Sequence, residues 1–171
     1  MRNLNNNSRE FEELSQRYNR LREELPEKAA ITMVNFFKRN FQAGGFVDKP
    51  FKKWKESTYP GARRTMVRSG NTRRQIKKIR ASRDRVVVGI ANHNHYAKIH
   101  NEGGKIPITP KMRRFFWAKF KETGKEYWKG LAITKKTHLD MPKRQFIGPS
   151  KALETTINRM LIKELKKLKK E

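Results

Sequence analysis

The chain has 171 residues, with 42 Lys and Arg against 16 Asp and Glu and no cysteine. This length suits one domain that removes roughly two-thirds of its unfolded surface from water, and the lack of thiols excludes a disulfide scaffold and any thiolate metal site. A formal net charge of +26 favours phosphate backbones or acidic proteins as partners and makes free copies repel one another.

No segment reaches the roughly 18 consecutive apolar residues that cross a bilayer, and the start, MRNLNNNSRE, lacks a signal core. The expectation is a soluble, unsecreted protein with no membrane contact. The charge is uneven. Residues 1–28 hold six acids (Glu10, Glu12, Glu13, Glu23, Glu24, Glu27) and six bases (Arg2, Arg9, Arg17, Arg20, Arg22, Lys28), so the whole excess lies beyond residue 28.

The first predicted element is a helix from Asn7 to Leu25. Phe11, Leu14, Tyr18, Leu21 and Leu25 step by three and four and form a narrow apolar stripe. Asn7 and Glu10 read as its capping pair. Pro26 breaks or kinks it, after which Ala30, Met33, Val34, Phe37 and Phe41 resume the period until Gly44-Gly45. With fewer than three clean heptads, the stripe is expected to pack on the protein's own sheet rather than in a coiled coil.

Residues 46–62 mix aromatics with proline and glycine and predict an irregular connection. From Arg63 to Arg85 ten bases face one acid, Asp84, in a region suited to a short helical turn and then a strand. RVVVGI, 85–90, is a strand by its β-branched run, paired as a hairpin with QIKKIRA through the turn at Ser82-Arg83-Asp84. KIPIT is a second extended piece. Thr109-Pro110 opens a helix with proline where no amide partner is lost, and Gly124 stops it. YWKGLAIT, 127–134, reads as a strand, a basic loop leads to MPKRQFIGPS, and Ser150 starts a last helix with the stripe Leu153, Ile157, Met160 or Leu161, Leu165 and Leu168.

HNHYAKIHNEGG, residues 93–104, gathers three histidines. His93 and His95 would share one face of a strand continued from Ile90, but the nearest acids, Asp84 and Glu102, have no fixed relation to that face, and a catalytic zinc needs three ligands in defined geometry. There is no G-x-S-x-G and no Walker loop, since Gly103-Gly104-Lys105 lacks the upstream glycine and runs into Ile-Pro. The expectation is no enzyme, no metal and no cofactor. Tyr96 to His100 then reads as one or two helical turns stopped by Asn101-Glu102-Gly103-Gly104, with Tyr96 and Ile99 turned inward.

Three stretches in order, together with a Trp-containing loop at Trp54, resemble the phage virion morphogenesis family, the tail-completion or head-to-tail joining proteins of tailed phages. They are RTMVRSGNTRRQI at 64–76, similar to the family's step into a basic turn at Gly70; Tyr96-Ala97 with His100-Asn101 and Gly103-Gly104; and Met141-Pro142 with Arg144 and Phe146-Ile147-Gly148. Asn71-Thr72 and Gln145 depart from the family's usual residues.

The resemblance implies an α+β fold, a small antiparallel sheet packed with N-terminal, central and C-terminal helices. It implies one domain over 1–171, divided into a helical region (1–45), a sheet-containing core (46–149) and a C-terminal amphipathic helix (150–171). It further implies a structural role as a homo-oligomeric ring at the head-proximal end of the tail. Neck, connector or tail proteins would be the partners, and the site would be in the virion after assembly in the host cytoplasm. In this reading Phe146 buries while Arg144 reaches a carbonyl or carboxylate. The candidate contacts for an acidic partner or for phage DNA are Arg63, Arg64, Arg68, Arg73, Arg74, Lys77, Lys78 and Arg80. The alternative is a nucleic-acid-binding module that uses these bases with Trp54, Tyr59 or Trp117 as stacking surfaces. A metal-dependent nuclease built on His93, His95 and His100 is a third reading.

Overall fold

The structure is a computed structural model and describes residues 2–58, 65–67, 69–91 and 95–168. Among these residues it is an α+β fold of six helices and three separate two-stranded antiparallel sheets. The β content is therefore split, where a single small sheet was expected.

Helix α1 runs from Arg2 to Ala43 with Pro26 inside it. Proline removes one helical hydrogen bond at a cost of about 3 kcal/mol. The flanking turns, LREEL and EKAA, are rich in strong helix formers, and packing of the following turns holds the helix past the proline. The helix starts well before Asn7, so Asn7 and Glu10 lie inside it and are not its cap. Gly44, at φ 68, ends it.

Strands β1 (Gly45–Phe46) and β2 (Lys52–Lys53) form a minimal hairpin in the region expected to be irregular. Helix α2 (Asn71–Arg74) is one turn, entered through Gly70 at φ 68. Strands β3 (Ile76–Ala81) and β4 (Val86–Ile90) pair as predicted, with Ile76 opposite Ile90 and Ala81 opposite Val86, and a bulge falls between Lys78 and Arg80. The Ser82 and Arg85 backbones close the turn. Helix α3 spans His95–Glu102, and strand β5 (Gly104–Pro107) pairs with β6 (His138–Met141). Between those strands lie α4 (Pro110–Thr123) and α5 (Glu126–Ile133). Thr109 caps α4 through its side chain and Gly124 stops it.

The predicted strand over 127–134 is instead α5. An apolar run of this length has no alternation to distinguish a strand from a buried helix. Trp128 and Ala132, four residues apart, fall on one helical face and bury against Phe116 of α4. Helix α6 (Lys151–Lys167) is capped by Ser150, whose hydroxyl accepts from the Leu153 amide.

The hydrophobic residues form two clusters. The larger one joins Phe36, Phe37 and Phe41 of α1 to Phe46, Trp54, Ile76, Ala97, Phe146 and Leu153. The smaller one lies between α4 and α5 around Phe116, Trp128 and Ala132, with Leu139 of β6 against it. Aromatic rings meet edge-on in the first, Phe41 on Trp54 at 5.4 Å between centroids, and stacked in the second, Phe116 on Trp128 at 6.1 Å.

The N-terminal stripe does not pack on a sheet. Leu21 is buried, but Phe11, Leu14 and Tyr18 are 73%, 47% and 51% exposed. The reason is reach: a 42-residue helix extends about 63 Å at 1.5 Å per residue, and α6, which covers α1 near Leu21, ends at Lys167.

Candidate interaction site

The segment from Met141 to Ser150 ties the fold together, and its polar groups are satisfied one by one. Phe146 is almost wholly buried. Its carbonyl accepts from Asn40 Nδ2 of α1 at 2.9 Å, while Asn40 Oδ1 accepts from the Val47 amide at 3.0 Å. The amides of Phe146 and Ile147 both donate to Asn101 Oδ1 at the end of α3, at 2.9 and 3.0 Å. Trp54 Nε1 donates to the Gln145 carbonyl at 2.8 Å.

Arg144 is also buried. Its Nε donates to the Lys55 carbonyl at 2.9 Å and its second terminal nitrogen to the Glu56 carbonyl at 3.2 Å. The guanidinium thus clamps the chain leaving β2 to the loop after β6, as its planar fork suits. Burial lowers its pKa from the ordinary value. The expected pairing of a buried Phe146 with an Arg144 bound to carbonyls is present.

Gly103 and Gly104 serve backbone geometry. Gly103, at φ 79, donates its amide to the Ile99 carbonyl at 2.9 Å and caps α3. A Cβ there would stand 3.0 Å from the Lys143 backbone nitrogen. At Gly148, a Cβ would meet the Gln145 side-chain amide. His100 offers its carbonyl to the Arg144 amide at 2.7 Å. Its Nδ1 is buried without a hydrogen-bond partner among the described residues, and burial, then the charge of Arg144, lowers the imidazole pKa.

A cleft of about 710 Å³ collects these elements. Gly70, Tyr96, His100, Pro142 and Arg144 all border it, from three separate parts of the chain, together with Tyr127 and Leu131 of α5. Tyr96 is 71% exposed and is not turned inward. On α3 the buried residue is Ala97, one position on, because the helix presents its other face to Phe146 and its neighbours.

Among the described residues no group of three possible metal ligands forms. The strand ends at Ile90 and His95 belongs to helix α3, and the side chain of His95 lies outside what the structure describes. His93 itself lies outside the described residues.

The basic stretch divides. Arg63, Arg64 and Arg68 lie outside the described residues. Arg73 and Arg74 sit on α2, with Arg74 exposed, and Lys77, Lys78 and Arg80 are exposed on β3. Lys78 reaches Glu27 of α1 at 2.6 Å and Arg83 pairs with Glu23. Part of the positive field is therefore neutralised within the molecule. Trp54 is buried and cannot stack on a base, Tyr59 lies outside the described residues, and Trp117 is 40% exposed.

The profile of the phage virion morphogenesis family matches residues 4–166. The chain belongs to that family. No curated protein and no solved structure matches it. Family membership gives the chain a structural or assembly role in the phage virion, and the motif residues of the family resemblance coincide with the cleft and its supporting loop. No helix among the described residues is long and apolar enough to cross a membrane.

Proposed function

We propose that the chain completes the tail or joins head to tail, acting as a homo-oligomeric ring at the head-proximal end of the tail against neck, connector or tail proteins. The observation that carries this reading is the family match over nearly the whole chain. The cleft is in keeping with it: two of its polar groups, the Arg144 guanidinium and the His100 carbonyl, hold loops of the fold together.

The charge supports it too. A basic surface meeting acidic virion proteins sets encounter rate and register. Removing the gene from the phage and viewing lysates by electron microscopy tests the role. Separate heads and tails, joined again when the chain is supplied in trans, are expected. Complete virions without the chain would end the proposal.

A second reading rests on Arg73, Arg74, Lys77 and Arg80, which make no ion pair among the described residues. In that reading they bind phosphates as part of a nucleic-acid module. It requires affinity for short random DNA that collapses with salt.

A further inference from the structure

Two of the exposed apolar patches on the described surface lie on helices beside charges of opposite sign. The first is the α1 stripe Phe11, Leu14 and Tyr18, spaced by three and four on one face, with Glu10 at its edge, four residues before Leu14, and Glu13 one turn on from Glu10. The second is Ile162 and Leu165 on the outer face of α6, 53% and 46% exposed, with Arg159 and Lys166 beside them.

The acids of α1 show why the first patch needs a partner outside its own chain. Glu23, Glu24 and Glu27 each find a base, on Arg83, Lys28 and Lys78. Nearer the N-terminus, Glu13 has only a 3.9 Å pairing with Arg17, and Glu10 makes no ion pair among the described residues. The helix also projects beyond the end of α6 there. The same projection leaves Phe11, Leu14 and Tyr18 without cover.

We infer that this N-terminal stripe docks on the Ile162–Leu165 face of α6 in a second copy of the chain, with Glu10 and Glu13 set against Arg159 and Lys166 of that copy. The charge distribution favours a second copy over an acidic partner. An acidic protein would repel Glu10 and Glu13, whereas any other copy presents a surplus of bases. Residues 1–28 also carry balanced charge, so they form the part of the molecule that approaches another copy of net charge +26 without net repulsion. The two patches differ, so the contact is heterologous, and each copy offers one of each. Such contacts close into a ring or continue as a filament. The inference rests on the reading of the chain as a self-assembling virion component and names the surfaces that meet.

Sedimentation velocity of the full chain, at an ionic strength where it assembles, tests this contact. The Phe11→Ser/Leu14→Ser variant changes only exposed side chains and should keep its circular dichroism while shifting to monomer. Glu10→Lys/Glu13→Lys should weaken association by about tenfold, and adding Arg159→Glu/Lys166→Glu in the same chain should restore it. Assembly unaffected by these changes would overturn the contact while leaving the virion role standing, since lysate microscopy tests that role separately. A wild-type chain that stays monomeric at every concentration and salt, or whose stripe is covered only by a different virion protein, would equally overturn it.

Discussion

The side-chain amide of Asn40 donates to the carbonyl of Phe146 across 106 residues of sequence, at 2.9 Å and fully buried, while its oxygen receives the Val47 amide. One side chain thus joins the end of α1, the following turn and the loop before α6. Replacing it with Leu keeps the volume but leaves a buried N–H and a buried C=O unpaired. The expected loss is about 2–4 kcal/mol of unfolding free energy, read from chemical denaturation. A loss below about 0.5 kcal/mol, within the usual range of surface changes, would show that the bond is not structural.

Arg144 should behave as a clamp rather than as a surface charge. Arg144→Met strips donors from the carbonyls of Lys55 and Glu56 and should cost about 2–4 kcal/mol. Arg144→Lys keeps the charge without the planar fork and should fall between. Equal stability of wild type and Arg144→Lys would mean that charge alone is what matters there.

Gly103 and Gly124 have similar left-handed backbones, at φ 79 and 65, but different surroundings. Added bulk meets the Lys143 backbone at Gly103 and nothing within 4 Å at Gly124. Alanine at Gly124 should cost about 1 kcal/mol for the backbone alone. At Gly103 it should cost more, and the difference in melting temperature between the two variants measures the contact.

Acid should act through Glu164. Hydrogen bonds from Lys167 and Lys28 lower its pKa to about 2. Its folded value lies below the ordinary 4.5, so its stabilisation is present above that value and is lost as pH falls toward 2. Glu164→Gln should be less stable at neutral pH and lose less stability over that window. For His100 the depressed value means that the unfolded chain takes up a proton below about 6.5 that the fold resists. Stability should therefore drop as pH falls below that point, and less so in His100→Asn. Parallel pH profiles for variant and wild type would contradict either assignment.

The fold was legible where local chemistry alone decides. Thr109-Pro110 and Gly124 bound α4, Ser150 opens α6, and the valines of β4 pair with Ile76–Ala81 as their composition demands. It was not legible where tertiary context decides. The run Tyr127–Ile133 is a helix because Phe116 stands ready to receive Trp128, and no local pattern carries that. The stripe at Phe11 is periodic whether or not anything covers it, so its exposure could not be read in advance. At the cleft, the glycines and the pairing of Arg144 with Phe146 were visible as a spaced motif. Asn40 was not, because a lone asparagine in a helical pattern carries no sign of the carbonyl it will meet.

An assembling virion component whose basic surface serves protein contacts should respond to salt and not to DNA. Light-scattering mass of the purified chain across ionic strength, with and without short DNA, tests it most directly. Screening relieves repulsion between copies of net charge +26, while the apolar contact persists, so a closed oligomer favoured by salt and indifferent to DNA is predicted. A monomer that binds DNA at low salt and releases it at high salt would contradict the account.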